Sequence, residues 1–277
     1  MSLYITSLNS GSNGNCYYVG NEKEAILVDA GISCREIEKR MKRLGLCMQK
    51  VKAVFVSHEH TDHIRGIPSL AKKYQLPVYI TTTTLFHSRL FLDGSLVKSF
   101  VANVPIEISD LTITAFPKFH DASDPYSFTV THNGIKVGVF TDIGKPCKHV
   151  IKYFKECHAA FLEANYDDNM LDTGSYPFYL KKRIKGEKGH LSNKQALELF
   201  KAHKPSYMSH LVLSHLSKNN NCPHLVQKLF DADSGGVKMI VASRFEETAV
   251  YHIHETANYN SSLRRNLPAP QLSFLFT

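Results

Sequence analysis

The residues at positions 57–63, Ser-His-Glu-His-Thr-Asp-His, include four potential metal ligands within six positions of this 277-residue chain. His58 and His60 are two residues apart, so in an extended backbone both imidazoles point to the same side. Asp62 and His63 are adjacent, and a turn at this point aims them at a second position nearby. One short loop can therefore serve two metal ions, and its imidazole and carboxylate groups favour Zn²⁺, Mn²⁺ or iron over Ca²⁺ or Mg²⁺.

The secondary-structure elements predicted around this loop indicate where it lies in the fold. Val51–Val56 is a short apolar run that we interpret as a buried strand ending directly before the ligands. Strand patterns and helix patterns follow one another in both halves of the chain, including an Asn-Gly hairpin at 133–134 and a helix with a capping box that begins at Ser192. No linker or repeat divides the sequence. This order predicts one layered α/β domain over residues 1–254 and an irregular tail at 255–277.

Composition and charge limit the classes of function. The chain has 33 Lys and Arg against 25 Asp and Glu, and a net charge of +8 suits a polyanionic partner such as nucleic acid. No apolar run approaches the roughly 18–20 residues of a membrane span, and the start of the chain resembles a strand rather than an export signal. We therefore expect no membrane association. The six cysteines show no CxxC or disulfide-knot spacing, which predicts reduced thiols and a cytoplasmic protein.

Two polar segments are candidates for holding a substrate. Their residues are Asn13, Asn15, Lys181, Lys182 and Arg183. The lysines and the arginine begin a run with five cations in eight positions, which predicts phosphate contacts if it lies near the metals and a solvated helix face otherwise. The two asparagines flank a glycine, and they either offer backbone N–H groups to a substrate phosphate or simply turn a hairpin.

The histidine motif, together with Val-Asp-Ala-Gly at positions 28–31, resembles the metallo-β-lactamase-fold hydrolases. The likeness extends over roughly residues 3–254. It implies an α/β protein folded as a four-layer αβ/βα sandwich with mixed sheets, and a metal site at one edge between the two sheets. It also implies two divalent ions per chain, zinc or manganese, with iron as a further compatible metal.

The same resemblance implies seven metal ligands, three of which lie far from the histidine motif along the chain. These three are His120, Asp142 and His215, and each follows an apolar strand. The implied ligands are His58, His60 and His120 for one ion and Asp62, His63 and His215 for the other, with Asp142 bridging the two. In family terms Asp29 orients the histidine loop, and the alternative interpretation is a cap at the start of a helix.

Within the family, the chain is most similar to the WalJ/YycJ-type branch of bacterial nucleases. The segments that carry this likeness are Leu8–Asn15, Glu163–Asp167, Tyr176–Ile184, Gly189–Asn193 and Ser214–Asn220. Two His-Leu-Ser motifs, 25 residues apart, also resemble those of the tRNA 3′-processing endonucleases. In those enzymes the first histidine acts with a glutamate as the catalytic acid, and this role carries over to His190 with Glu163.

The implied site would hydrolyse esters. Two cations about 3.5–4 Å apart can share one water, lower its pKa to give hydroxide at neutral pH, and hold a phosphate oxygen. We therefore predict a phosphodiesterase, most readily a DNA exonuclease, with His190, Glu163 and Asp62 as its catalytic residues. The alternative is a small-molecule hydrolase that acts on a cyclic phosphodiester, a lactone or a thioester at the same metals.

Other functions of the same fold are disfavoured. Diiron redox relatives carry a glutamate at the position of His60, and a catalytically silent module would not keep all seven ligands. The stretch between residues 63 and 120 also shows no long Gly/Pro-rich arm of the kind that grips tRNA in the processing endonucleases.

Overall fold

Residues 2–254, the part of the chain that the computed structural model describes, form two seven-stranded mixed sheets that pack face to face. Helices cover the outer face of each sheet, so the layers run helix, sheet, sheet, helix. This arrangement confirms the predicted αβ/βα sandwich. The tail predicted at 255–277 lies outside the described residues, and the domain boundary at 254 stays a prediction.

The first sheet comes mainly from the amino-terminal half of the chain. Its strands are β1 (Leu3–Asn9), β2 (Cys16–Gly20), β3 (Ala25–Val28), β4 (Val51–Phe55), β5 (Val78–Tyr79), β6 (Val97–Lys98) and β14 (Tyr251–Ile253). They lie in the spatial order β14-β1-β2-β3-β4-β5-β6. The pairs from β14 to β3 are antiparallel and the pairs from β3 to β6 are parallel.

The second sheet repeats this plan. Its strands are β7 (Pro105–Ile108), β8 (Leu111–Pro117), β9 (Tyr126–His132), β10 (Ile135–Phe140), β11 (Ala159–Glu163), β12 (His210–Ser214) and β13 (Lys238–Val241). They lie in the order β13-β12-β11-β10-β9-β8-β7. The pairs from β7 to β10 are antiparallel and those from β10 to β13 are parallel.

Helices cover both outer faces. They are α1 (Cys34–Arg43), α2 (Thr61–Ile64), α3 (Ile67–Tyr74), α4 (Thr82–Ser88), α5 (Lys148–Phe154), α6 (Asp168–Thr173), α7 (Phe178–Lys185), α8 (Asn193–His203) and α9 (Pro223–Asp231), with a 3-10 turn at Met48–Lys50. Apolar residues of α1 and α3 pack on the first sheet, and those of α5, α8 and α9 pack on the second. Among the described residues, no helix has the length and apolar character that crossing a membrane requires.

The strands are apolar on both faces because both faces are covered. In β11, Phe161 points into the core between the sheets, whereas Leu162 packs against the helices. Aromatic rings join the two sheets, with ring centroids 4.9 Å apart for Tyr17 and Phe161. A rigid double layer of this kind holds the loops at the strand ends in fixed positions.

Candidate metal centre

Loops at the carboxyl ends of strands from both sheets bring potential ligand atoms together at one edge of the sandwich. In each of four groups these atoms all lie within 4.8 Å of one another. The groups are His58/His60/His120, His58/His63/Asp142, Asp62/His63/His215 and Asp142/Glu163/His190/His215. All seven residues expected to bind metal therefore meet in one place, and their ligand roles stay a prediction.

Left-handed backbone turns at strand ends direct several of these side chains. Asp29 follows β3 with φ 61°, Asp142 lies just after β10 with φ 54°, and His215 follows β12 with φ 56°. This conformation is uncommon for residues other than glycine and costs about 1–3 kcal/mol. Hydrogen bonds offset part of that cost, since the His215 N–H donates to Ser10 Oγ over 2.7 Å. Such strain is typical of residues held for function.

Three histidines converge on one position. His60 Nδ1 lies 3.0 Å from His58 Nε2 and 3.3 Å from His120 Nε2. Burial lowers the pKa of both His58 and His120, so these rings are neutral at neutral pH. Neutral imidazole is the form that binds a metal ion.

A second position lies between Asp62, His63 and His215. Asp62 Oδ2 is 3.6 Å from the Nε2 atoms of both histidines. Burial opposes protonation of His63, but Asp142, Asp29 and Asp62 outweigh burial and raise its pKa to about 10. The carboxylates therefore create a strongly negative potential at this point, which favours any cation placed there.

Asp29 fixes the orientation of two of the histidines. Its Oδ2 accepts a hydrogen bond from His63 Nδ1 at 2.7 Å and another from Ser57 Oγ at 2.7 Å. Ser57 Oγ in turn accepts from His58 Nδ1 at 2.9 Å. Both rings consequently keep Nε2 for a ligand, a common arrangement around protein metal sites. This position fits the expected role of Asp29 and does not fit a cap at the start of a helix.

Two other histidines are fixed in the same way. His120 Nδ1 donates to the backbone carbonyl of Gly189 over 3.1 Å, and His215 Nδ1 donates to Glu163 Oε1 over 2.8 Å. Each ring again keeps Nε2 for the centre of the site. His60 instead presents Nδ1 to His58 and His120.

Unpaired buried atoms support metal binding independently of the spacing. Within residues 2–254, His215 Nε2 is buried and has no hydrogen-bond partner, whereas buried Asp142 Oδ2 lies 3.2 Å from His63 Nε2 without making a hydrogen bond of good geometry. A buried polar atom without a partner costs about 1–3 kcal/mol, and coordination to a metal removes that cost. The imidazole and carboxylate donors present here therefore fit divalent cations.

Glu163 connects His190 to this site. Its carboxylate is fully buried, and Oε1 accepts from His190 Nδ1 at 2.8 Å as well as from His215. Oε2 accepts from the backbone N–H groups of Ile143 and Leu191. Burial opposes ionisation, but His190 and His215 outweigh burial and lower the pKa of Glu163 to about 2. Glu163 is therefore an anion that stabilises a positive charge on the adjacent histidines.

The edge that carries these candidate ligands opens into a cleft of about 420 Å³. His190 lines this cleft together with Asp62, Asp142 and His215. Residues from the segment around α7 form the opposite side, including Tyr176, Leu180, Arg183 and Ile184. A substrate in this cleft would therefore contact both the metal ligands and the predicted acid.

The predicted substrate contacts occupy three different environments. Arg183 lines the cleft and pairs with Asp121. Lys181 and Lys182 lie on the other side of α7, away from the cleft. Asn13 is exposed, and its side chain donates to the Arg244 carbonyl over 2.8 Å. Its contact with a substrate stays a prediction.

For Asn15, the expected backbone contact with a phosphate does not agree with the structure. The residue is completely buried, and its backbone N–H donates to the Asp62 carbonyl over 2.7 Å. Its side chain donates to Asp62 Oδ2 over 3.2 Å. Asn15 therefore positions Asp62, a predicted ligand, and has no backbone donor left for a substrate.

The sequence analysis did not identify several residues that position the site. Gly31 packs so closely on the histidine loop that a Cβ atom there would lie 1.7 Å from the Asp62 carbonyl oxygen. Asn165 donates to the His215 carbonyl over 2.8 Å, and Ser57 connects His58 to Asp29. The available signal was their location within or beside the recognised motifs, because none of these residue types indicates metal chemistry alone.

Comparison with known proteins gives consistent matches. A family model described as the β-lactamase superfamily domain matches residues 24–216. The exodeoxyribonuclease YycJ of Bacillus anthracis is 32% identical over 239 residues, covering 82% of this chain and 87% of that protein. The exodeoxyribonuclease WalJ of Streptococcus pneumoniae (strain D39) is 31% identical over 253 residues, covering 87% and 94%. The structure of the metallo-β-lactamase fold protein YhfI from Bacillus subtilis superposes with a TM-score of 0.70 at 18% identity, covering 91% of this chain and 100% of that one.

Proposed function

The chain belongs to the metallo-β-lactamase superfamily and is a metal-dependent hydrolase, and on this basis we propose that it is a dinuclear DNA exonuclease. Two relatives that align with 82% and 87% of this chain are named exodeoxyribonucleases. The net charge of +8 suits a polyanionic substrate. The six cysteines, all free thiols, support a reducing compartment, and we propose that the enzyme acts in the cytoplasm.

The position of the Asp142 carboxylate between the two ligand groups is the observation that supports a dinuclear site. Its Oδ1 lies 3.7 Å from His120 Nε2, while its Oδ2 lies 3.2 Å from His63 Nε2. One carboxylate therefore reaches both ligand groups, as a bridging ligand must. In this proposal the ligands of one ion are His58, His60 and His120, and those of the other are Asp62, His63 and His215. A pair of divalent cations, when bound, activates water and polarises a phosphate oxygen.

His190 and Glu163 supply the proton in the proposed reaction. His190 Nδ1 donates to Glu163, so Nε2 is left to donate its proton to the leaving oxygen of the phosphodiester. The Glu163 carboxylate stabilises the charged ring and holds it in place until that transfer. Asp62, oriented by Asn15, lines the same cleft as His190 and completes the predicted catalytic set.

Cleavage of DNA by the metal-loaded protein tests the proposal. The full chain is stripped with a chelator, reloaded with Zn²⁺ or Mn²⁺, and incubated with end-labelled single- and double-stranded DNA and with bis-p-nitrophenyl phosphate. We expect metal-dependent, stepwise release of nucleotides from a DNA end. Hydrolysis of the small ester without any DNA cleavage would overturn the nuclease assignment in favour of a small-molecule hydrolase.

Two variants test whether the activity resides in this site. Asp142→Asn removes the bridging carboxylate, and we expect it to lose bound metal and all DNA cleavage. Asp110→Asn changes an exposed aspartate in the turn between β7 and β8 and serves as the matched control. Equal activity of the two variants would show that the nuclease activity comes from a contaminant.

A further inference from the structure

Helix α7 has an unusual surface for a helix of a folded protein. None of its eight residues is buried, although it contains Phe178, Tyr179, Leu180 and Ile184. Phe178 is 81% exposed and Tyr179 is 74% exposed. Single exposed apolar residues are ordinary, but two adjacent aromatic rings in water are more typical of an interaction site.

The helix separates two concave surfaces. Leu180, Arg183 and Ile184 face the metal cleft. Phe178 lines a neighbouring groove of about 620 Å³ with Lys181, Lys182 and Lys185, at helical spacings of three, four and seven residues. We call Phe178 and these three lysines, together with the exposed Tyr179 that follows Phe178 in the chain, the aromatic–basic surface.

The carboxyl end of α7 is fixed against the proposed acid. The backbone N–H of His190 donates to the Ile184 carbonyl over 2.9 Å. A Cβ atom at Gly189 would lie 2.1 Å from the same carbonyl oxygen, so this contact requires glycine. The groove and the cleft are therefore about one helix diameter apart, roughly 10 Å, in a fixed relation.

Charge in the groove favours an anion. Its lining contains three lysines and one acidic residue, Asp172. Lys185 forms an ion pair with the Asp172 carboxylate, and Lys181 Nζ donates to the Asp172 carbonyl over 2.8 Å. Lys182 forms no ion pair with any carboxylate of residues 2–254. The groove therefore keeps an excess of positive charge beside exposed aromatic faces.

We propose that the aromatic–basic surface binds single-stranded DNA and leads one strand across α7 into the metal cleft, an inference that rests on the proposed nuclease function. Unpaired bases stack on Phe178 and Tyr179, while the lysines contact the phosphates. Within an intact duplex the base faces are already stacked, so such rings have no partner there. The substrate class is accordingly a single strand or a duplex end that has opened.

Binding measured without cleavage tests this surface. Fluorescence anisotropy of a labelled single-stranded oligonucleotide is recorded in chelator with the full chain and with its Phe178→Ala and Tyr179→Ala variants. Removing the aromatic ring on which one base stacks typically weakens binding by roughly 5- to 150-fold, and we expect a Kd increase in that range for each variant. Phe178→Trp should keep wild-type affinity, and Phe178→Leu should behave like the alanine variant.

A distant exposed phenylalanine provides the matched control. Phe91 is 95% exposed and lies outside α7, so Phe91→Ala should leave the Kd unchanged. Because the substituted rings are exposed, all variants should unfold at the wild-type temperature.

A Phe178→Ala/Tyr179→Ala double variant with the wild-type Kd would overturn the proposal. An equal loss of affinity for blunt duplex DNA would overturn it as well. If the double variant cleaves DNA with an unchanged KM, the DNA-binding role of this surface is wrong and the proposed nuclease function is retained. If the wild-type protein cleaves no DNA, the proposed nuclease function itself is wrong.

Discussion

Glu163 Oε1 is shared by two histidines that the proposed mechanism gives different tasks. In that mechanism the carboxylate orients His215 so that its Nε2 faces a metal ion. The same carboxylate holds the His190 ring, which donates the proton. Both hydrogen bonds are 2.8 Å long. Hydrogen bonds to a charged acceptor are stronger than neutral ones, so this single side chain fixes the relative position of ligand and acid.

His190→Ala separates these two tasks. We expect the variant to bind the wild-type amount of metal, because His190 Nδ1 is engaged by Glu163 and metal binding rests on the seven other residues. The loss of a general acid should reduce kcat on DNA by about 10²- to 10⁴-fold. Metal content by mass spectrometry and single-turnover cleavage measure the two quantities.

Exposed His224, in α9, gives the control variant His224→Ala, which should match the wild type in both measurements. Full activity of His190→Ala would exclude the proposed acid. Loss of metal from that variant would instead make His190 a ligand.

At this scale, the residues that carry chemistry were predictable, whereas Asp29 was the one supporting residue that the sequence analysis named for that role. His58, His60, Asp62 and His63 are recognisable because imidazole and carboxylate groups repeat at metal-site spacing. The role of Ser57 depends on Asp29, which lies 28 positions earlier in the chain. Local sequence does not contain such a pairing, because only the folded sheet brings the two residues together.

Among the elements, α1 is held against the carboxyl end of β1 by hydrogen bonds. Buried Arg40 donates to the Leu8 carbonyl over 2.7 Å and to the Phe245 carbonyl over 3.0 Å. One turn later, Arg43 pairs with Glu247 through two short hydrogen bonds. The helix therefore joins β1 to the segment that leads into β14.

Glu247→Gln tests this clamp through its pH dependence. The hydrogen bond from Arg43 lowers the pKa of Glu247 below its ordinary value of 4.5. A lowered folded-state pKa gives stability that is complete above the unfolded-state value and is lost as the pH falls through the folded-state value. We expect the variant to lose about 1 kcal/mol of unfolding free energy at neutral pH, and the difference from wild type to shrink below the unfolded-state pKa.

Urea unfolding at several pH values measures this effect. Glu198→Gln, an exposed change in α8, is the control and should follow the wild type throughout. A constant deficit of Glu247→Gln across the acid range would contradict an ionic origin.

Elements with at least one covered face were easier to predict than α7. The strand predicted at Val51–Val56 is observed at Val51–Phe55, and the capping box at Ser192 is confirmed, since burial and end signals leave clear patterns. Helix α7 was expected only as the solvated alternative for the basic run. Its apolar residues follow no single stripe because neither of its faces is buried.

For the molecule as a whole, charge provides a direct test of DNA binding. Counterion release makes log K fall with log salt concentration, with a slope of about −0.7 per phosphate contact for single strands. We expect Lys182→Gln/Lys185→Gln to make that slope shallower by about 1.4, the share of two contacts. Titrations of labelled oligonucleotide at several salt concentrations give the slope.

Lys39→Gln/Lys228→Gln, at exposed positions in α1 and α9, removes the same two charges and controls for the change in net charge alone. An unchanged slope in the double variant would remove these lysines from the DNA contact. Hydrolysis of bis-p-nitrophenyl phosphate should depend little on salt, because a small ester releases few counterions.

The global architecture was predictable chiefly through the family resemblance. Alternating strand and helix patterns indicate a layered α/β protein, but they do not show which strands pair across long separations. The pairing of β1 with β14 joins residues about 250 positions apart, and no local signal marks it.

That terminal pairing has a consequence for biosynthesis. Leu3 lies opposite Ile253, and the backbone N–H of Thr248 donates to the Ser7 carbonyl, so β1 is synthesised about 250 residues before its partner β14. Until β14 is synthesised, β1 has an unpaired strand edge. Unpaired edges of this kind bind chaperones or aggregate with other chains. His215 is synthesised before β14 pairs with β1. All seven predicted ligands are therefore present in the nascent chain before the first sheet is complete.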